Sequence, residues 1–310
     1  MFEPKELHLT VKSYAKINLA LDIVGVRDDG YHMLETVMQK IRLADRIDVS
    51  WQPSASGGIH ISLSTNKPYL PTDERNLAYR AALMMAEYAG INGKLKISVT
   101  KRIPVSAGLG GGSSNAAALM VALNKLWRLK LNTRKLCDMG KALGADVPFL
   151  ILVHNTSYEC ALCRGTGDEL TALKRSLRKY IVLAKPGFGV STAEVFKGID
   201  ECTVAERPNI EQLTEGIRTR NRRKVLDNMT NVLEAYTCSA YPQVERLKAE
   251  MRRTDRVRRV LMTGSGPTVI AVYDTYAAAR RACAAIRKKG YEAYWTQTTK
   301  EIGGQKYAEF

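Results

Sequence analysis

The stretch Ile103-Pro-Val-Ser-Ala-Gly-Leu-Gly-Gly-Gly-Ser-Ser-Asn115 runs straight into Ala116-Ala-Ala-Leu-Met-Val-Ala-Leu123. Glycines at 108, 110, 111 and 112 leave the backbone bare and open to positive φ. Ser113, Ser114 and Asn115 are all helix-capping types, so the spacing predicts a loop that enters an alanine-rich helix near the serines. The first N–H groups of a helix lack partners within it, and its dipole is positive there, so such a start seats an anion. No lysine follows the glycines, which excludes the Gly-x-x-x-x-Gly-Lys-Ser/Thr form of phosphate loop. A flexible turn before a core helix is the plain alternative. Glycine runs disfavour an ordered helix start unless something must come close, so the loop is read as binding phosphate.

Outward from the loop, Leu95 to Lys101 reads as the strand that feeds it, and the helix after it extends to about Trp127. Asn76 to Ala89 is a helix with one apolar side, closed by Gly90. Upstream, residues 9–24 alternate over two stretches, Arg46 to Trp51 and His60 to Ser64 add strands, and Arg27-Asp-Asp-Gly30 is a turn. Downstream, Thr133 to Leu143 is helical and an apolar strand is expected after Gly144-Ala-Asp-Val-Pro148. Ser157 to Arg164 and Tyr180 to Pro186 read as strands, Thr192 opens a short helix, and Pro208 to Met251 is mostly helical. Val260 to Thr263 leads into a second glycine turn, Gly264-Ser-Gly-Pro267, followed by strand 268–273, helix 277–289 and strand 292–298. Such returns predict an α+β fold with mixed or antiparallel sheets packed with helices, not a doubly wound sheet. The pattern resets near 150–165, so an N-terminal domain over 1–158 and a C-terminal domain over 159–310 are expected.

A chain of 310 residues, 45% apolar and 25% charged, has ample core for an ordinary globule. It holds no run of about 18 apolar residues, so no membrane span is expected. Met1-Phe-Glu-Pro-Lys-Glu-Leu-His8 does not have the makeup of a secretory leader, which predicts a cytoplasmic protein. Six scattered cysteines then read as free thiols. Cys160 and Cys163 form a C-x-x-C with His154 as the only nearby partner, too little for a zinc site. The formal charge of +16 gathers in Arg218 to Lys224 and Arg252 to Arg259. These runs read as a nucleic-acid footprint or as solvated helix faces. No aromatic residue interleaves them, which favours the second.

Three further segments carry chemistry. In Ser13-Tyr-Ala-Lys16-Ile-Asn18-Leu19, Lys16 and Asn18 share one face of an apolar strand. A buried lysine requires an anionic partner or ligand, whereas a strand-edge lysine would reach solvent. Asp146 sits at the junction Leu143-Gly-Ala-Asp-Val-Pro148, where a lone aspartate often serves as a cap or turn residue. Asp29-Gly-Tyr31-His32-Met-Leu-Glu35 puts an aromatic ring and an imidazole side by side, alone a core tyrosine and a surface histidine.

Together these segments resemble the GHMP small-molecule kinases. The likeness runs end to end, through Tyr14 to Leu19, Asp29 to Glu35, Arg75 to Tyr79, Ile103 to Ala117, Gly144 to Pro148, Asn231 to Glu234 and Thr263 to Thr268. Tyr-Ala-Lys-Ile-Asn-Leu with Asp-Gly-Tyr-His narrows it to the branch that phosphorylates the 2-hydroxyl of a cytidine-diphosphate-linked methylerythritol, on the non-mevalonate route to isoprenoid precursors. The resemblance implies an ATP-dependent enzyme in which Asp146 takes the hydroxyl proton and Lys16, beside it, offsets charge at the transferring phosphoryl group. It implies that Pro104, Val105, Ser106, Ala107, Gly108, Leu109, Gly110, Gly111, Gly112, Ser113 and Ser114 wrap the ATP phosphates, with the serines near Mg2+ and Asn76 at the nucleotide end. Tyr31 and His32 would hold the cytosine ring with Phe196 stacking, and Asn18 and Thr192 would contact the substrate. The partners implied are a small-molecule substrate, no nucleic acid and no membrane, in a monomer or homodimer.

The chain departs from the pattern in three places. Ser106 stands where glycine or alanine is usual, residues 152–163 form a segment about six residues longer than is usual, and Arg164 replaces a frequent glutamate. A rival from another class, a basic nucleic-acid-binding protein, would use the +16 charge instead.

Overall fold

A computed structural model describes residues 6–55, 57–298, 301–302 and 305–306. The first five residues, on which part of the leader reading rests, lie outside the described set. Two compact units emerge. The first comprises residues 1–15, 43–104 and 110–157, and the second 16–42, 105–109 and 158–310. One of the division points falls between residues 157 and 158. The segments 16–42 and 105–109 instead group with the second unit, because strands bring residues distant in sequence into contact.

Two long strands, β1 (Leu7–Val26) and β2 (His32–Pro53), contribute to both units. The predicted turn at 27–30 joins them. The sequence suggested only Arg46 to Trp51 as a strand here, yet β2 begins at His32. Its first part carries polar residues on buried faces, which hides the alternation.

In the first unit, β3 (Ile59–Thr65) pairs parallel with β4 (Gly93–Thr100), and β4 pairs antiparallel with β2 through Ile47↔Val99 and Val49↔Ile97. Alternation along β4 buries Leu95, Ile97 and Val99 and exposes Lys94, Lys96 and Ser98. Helices α1 (Leu77–Ala89), α2 (Gly111–Leu126), α3 (Thr133–Gly140) and α4 (Val147–Asn155) complete this unit, with α2 packed on α1 and α4. Asn76 caps α1 by accepting from the Ala78 N–H, and Gly90 closes it at φ 61°. Such a cap is worth about 1 kcal/mol.

Segment α4 corrects the expected strand. Its run Val147-Pro-Phe-Leu-Ile-Leu-Val153 is buried on every side, and period alone does not separate a buried strand from a buried helix. Pro148 in the first turn favours the helix.

In the second unit, β2 pairs with β5 (Cys160–Arg164) and β5 with β6 (Glu169–Leu173), both antiparallel. A separate antiparallel sheet runs β10 (Glu292–Gln297), β7 (Tyr180–Lys185), β9 (Val269–Tyr273), β8 (Arg259–Met262). Its central strands β7 and β9 are almost wholly buried, which explains their unbroken apolar reading. Packed with it are α5 (Thr192–Ile199), α8 (Glu234–Ala240), α9 (Pro242–Arg252) and α10 (Tyr276–Lys288), while α6 (Ile210–Thr219) and α7 (Arg222–Asp227) pack on each other and α6 on β6. The short strands β11 (Glu301–Ile302) and β12 (Gln305–Lys306) pair with each other. Among the described residues no helix is long and apolar enough to cross a membrane. The architecture is the predicted α+β one, with a parallel pair that makes one sheet mixed.

Candidate active site

The glycine loop takes the backbone it was expected to need. Gly108 and Gly110 lie at φ 68° and 67°, and Ser106 shares the left-handed region at 51°. Glycine adopts that region freely and serine does not, so the usual small residue at 106 has a conformational reason. Helix α2 begins earlier than predicted. Its N-cap is Gly110, with no side-chain cap, so Ser113, Ser114 and Asn115 lie inside the helix. Since Ser114 N–H already donates to Gly110 C=O at 2.7 Å, the N–H groups of Gly111, Gly112 and Ser113 are those left for an anion.

Ser114 is buried and donates to Tyr14 C=O at 2.6 Å, so its hydroxyl serves the fold. His154, the histidine nearest the C-x-x-C in sequence, lies 3.2 Å from that hydroxyl and stacks on Tyr14. Cys160 and Cys163 are buried free thiols, and no metal-binding group of three or more His, Cys, Asp or Glu side chains occurs among the described residues.

Behind the helix start is a charged cluster with no signal in sequence. The buried carboxylate of Asp45 accepts from the backbone N–H of Arg102 at 2.6 Å and Ile103 at 2.8 Å, and from the Asn115 amide at 2.9 Å. Lys101 pairs with the same carboxylate and donates to Asn115 Oδ1 at 2.9 Å. One acid thus ties the strand entering the loop to the helix leaving it. Breaking one member of such a buried pair typically costs about 3–5 kcal/mol. The first unit also brings the start of α4 near this helix, since a Cβ on Gly144 would lie 3.9 Å from Ser113 Oγ. Asp146, two residues on, is half-buried at the N-cap position of α4 and makes no capping bond with its side chain, so the plain cap reading is not met.

In the second unit, Lys16 is 4% exposed, which rules out a solvent-reaching strand-edge lysine. Its ammonium donates to Asn18 Oδ1 at 2.9 Å, and its backbone N–H donates to Leu109 C=O of the loop at 3.1 Å. Asn18 is itself held: its amide donates to Thr36 Oγ1 at 2.8 Å, and its N–H donates to Thr263 Oγ1 at 2.9 Å. Thr36 in turn donates to Ala20 C=O at 2.6 Å. The second glycine turn packs directly on the first: a Cβ on Gly108 would lie 2.5 Å from Thr263 C=O and 3.2 Å from Gly266 C=O. Thr192 donates to or accepts from Ser265 of that turn at 2.9 Å.

The expected aromatic pair is reversed in exposure. Tyr31 is 66% exposed, while the His32 side chain is only 9% exposed. His32 lies 5.2 Å from the Phe196 ring at an interplanar angle of 39°, and its Nε2 lies 2.7 Å from Asp200 Oδ1. Sequence reading missed Asp200, although it follows Phe196 by one helical turn and so shares its face. Asn76 uses both ends of its amide locally, capping α1 and donating to Pro71 C=O at 2.8 Å. Arg164 finds an acid, donating to Glu35 Oε1 at 2.8 Å.

A family model of the GHMP kinases N terminal domain matches residues 76–153, and one of the GHMP kinases C terminal domain matches residues 213–292. The chain is similar to 4-diphosphocytidyl-2-C-methyl-D-erythritol kinases from Clostridium botulinum (strain Eklund 17B / Type B), at 40% identity, and Clostridium beijerinckii, at 42%. Each likeness spans 290 residues, 94% of this chain and 100% of the relative. A crystal structure of a 4-(cytidine 5'-diphospho)-2C-methyl-D-erythritol kinase matches with a TM-score of 0.76 at 33% identity, over 93% of this chain and 98% of that one. A homoserine kinase from Cytophaga hutchinsonii matches at a TM-score of 0.72 and 18% identity, over 96% and 98% of the two chains, a likeness of fold.

Proposed function

The chain belongs to the 4-diphosphocytidyl-2-C-methyl-D-erythritol kinases of the GHMP family, and from that premise we propose the following reaction and division of labour. The enzyme transfers the terminal phosphoryl group of ATP to the 2-hydroxyl of 4-diphosphocytidyl-2-C-methyl-D-erythritol, in the non-mevalonate pathway to isoprenoid precursors. One observation carries the phosphoryl-transfer reading: Lys16 is a buried cation whose own N–H is bonded to the glycine loop. Transfer of this kind rests on positioning and on neutralising charge, and a fixed ammonium at a phosphate loop supplies both.

Asp146 accepts the proton of the attacking hydroxyl as general base. Lys16 favours its ionised form and offsets the charge that develops on the phosphoryl oxygens. Pro104 to Ser114 hold the ATP phosphates, with the N–H groups at the start of α2 as donors. Asn76 serves the nucleotide end by setting the first turn of α1. His32, Tyr31 and Phe196 hold the cytosine ring, and Asn18 and Thr192 support the substrate side. Residues 1–158 act as the ATP-binding domain, and residues 159–310 contribute to the substrate site.

ATP kinases use Mg2+, and the residues present fit that need. Mg2+ in such sites takes one or two protein oxygens, with phosphates and water completing the shell, so no dedicated cage of carboxylates is required. The Ser113 hydroxyl, in the first turn of α2, is the protein oxygen assigned to it. Bound there, the ion would shield phosphate charge. The protein is taken to act in the cytoplasm on a small molecule, as a monomer or homodimer, without nucleic acid.

The test is ADP release by purified folded protein supplied with ATP, Mg2+ and the cytidylyl substrate. Mevalonate, homoserine and a sugar are assayed alongside. Turnover confined to the cytidylyl substrate is expected. No turnover with it, or faster turnover with another alcohol, overturns the reading.

A further inference from the structure

The second unit contains a cavity of about 470 Å³ that shares no residue with the glycine loop or with His32 and Phe196. It lies between the connection from β6 to β7 and the turn from α6 to α7. Leu177, Ile217 and Val225, each no more than 3% exposed, contribute an apolar floor. Lys174, Arg175, Arg178, Arg220 and Arg222 line the rest. A volume of this size suits a small molecule.

Among the described residues that line the cavity, Glu159 is the one acid. It already serves two neighbours: Lys40 Nζ lies 3.8 Å from it and Ser176 donates to it at 3.2 Å. Arg175 donates to Arg218 C=O, which ties the connection from β6 to β7 to the end of α6. Among the described residues, no carboxylate pairs with Lys174, Arg220 or Arg222. The crowding extends inward. Burial, followed by the charges of Arg222 and Arg258, pushes the amine of Lys179, next to Arg178, down to about 8, although Lys179 also pairs with Asp274. Like charges gathered around a concave surface repel unless an anion joins them. Guanidinium groups match phosphate oxygens in a planar fork.

We propose that this cavity is a second ligand site, for a small amphipathic phosphate ester. Its multiply charged head, a diphosphate or its equivalent, sits on the arginine rim, and its short hydrocarbon body rests on Leu177, Ile217 and Val225. Among the described residues the lining contains no aromatic ring on which a base would stack, which separates it from a single-stranded nucleic-acid groove. The apolar floor separates it from a site for inorganic phosphate alone.

Isothermal titration of the full chain with n-pentyl diphosphate tests this. A non-hydrolysable ATP analogue and cytidine diphosphate are kept at saturating levels so that the catalytic subsites are filled. Saturable binding is expected, weakened at least tenfold in Arg222→Glu and in Arg220→Glu. Inorganic diphosphate should bind at least tenfold more weakly than the pentyl ester. Turnover without the ester should be unchanged in both variants. Because Arg220 adopts a left-handed backbone at φ 62°, Arg222→Glu decides the matter if Arg220→Glu unfolds. Binding that is equal in wild type and Arg222→Glu, or equal for the pentyl ester and inorganic diphosphate, overturns the proposal. So does preference for a short single-stranded RNA over the ester at about 0.15 M salt. The readout is binding, so it stands or falls separately from the kinase assay.

Discussion

The ammonium of Lys16 and the side-chain amide oxygen Oδ1 of Asn18 lie 2.9 Å apart on one face of β1. Strand geometry puts residues two apart on the same side, and here that side is buried, so one residue fixes the other. Thr36 and Thr263 hold Asn18 in turn. Asn18 is thus a positioning residue for Lys16 as well as a candidate substrate contact. Hydrogen bonds to charged groups are worth about 1.5–3 kcal/mol. Asn18→Ala is therefore expected to lower kcat at least tenfold while the protein stays folded by circular dichroism. A changed KM for the cytidylyl substrate with kcat intact would leave Asn18 as a substrate contact only.

Asp146→Asn keeps the shape of the side chain and removes its ability to accept a proton. The loss of a general base typically costs about 10²–10⁴-fold in rate. Steady-state kinetics should show kcat falling in that range, with KM for ATP changed little. Near wild-type kcat would remove Asp146 from the role of base.

His32, Phe196 and Asp200 form one unit, and replacing any of them should act on the cytidylyl substrate. Loss of a base-stacking partner costs roughly 1–3 kcal/mol. His32→Ala and Phe196→Ala should raise its KM about tenfold, and Asp200→Asn should have a smaller effect in the same direction. Tyr31→Ala should also raise it, through a ring that is exposed without substrate. Because uniform binding energy appears in KM, kcat and the KM for ATP should hold. A matching loss of ATP affinity would assign these residues elsewhere.

The glycine loop gives two substitutions of opposite sign. A methyl at Gly108 would lie 2.5 Å from Thr263 C=O, on a backbone at φ 68°. Gly108→Ala should lower the unfolding midpoint and abolish ATP binding. Ser106 holds φ 51° with a side chain that disfavours it. A left-handed residue costs about 1–2 kcal/mol, of which glycine's extra freedom in the unfolded chain takes back part. Ser106→Gly should thus gain about 0.5 kcal/mol in urea denaturation, and a loss would mean that the hydroxyl has a local role.

Two thiols should report on pH. Burial pushes Cys137 up to about 11 and Cys238 up to about 12. Both stay protonated in the folded protein at pH 8, so iodoacetamide should modify them slowly until denaturant is added. Because the folded values are raised, the unfolded chain gives up these protons first. The stability linked to them is complete below about pH 8.5 and is lost as pH rises through the folded values. Wild type should therefore lose stability relative to a Cys137→Ala, Cys238→Ala double variant as pH rises from about 9 to 11. Rapid native alkylation at pH 8 would contradict the burial.

Local chemistry made much of this protein legible from sequence. The glycine loop, the Asn76 and Gly90 ends of α1, the alternation of β4 and the shared face of Lys16 and Asn18 all follow from spacing and backbone preference within a few residues. Other features depend on partners far along the chain. The run after Asp146 is a helix because it is enclosed on every side, which no period in its own sequence reveals. The start of α2 is set by Gly110 in a left-handed conformation, whereas the serines three and four residues on offered the stronger capping chemistry. Asp45 meets Ile103 and Asn115, and His32 meets Phe196 and Asp200, across gaps that only tertiary packing closes. Sequence thus determined which residues are able to bind phosphate, hold a charge or stack on a ring. Folding decided which are held in place, because burial and hydrogen-bond geometry belong to the assembled neighbours rather than to any segment alone.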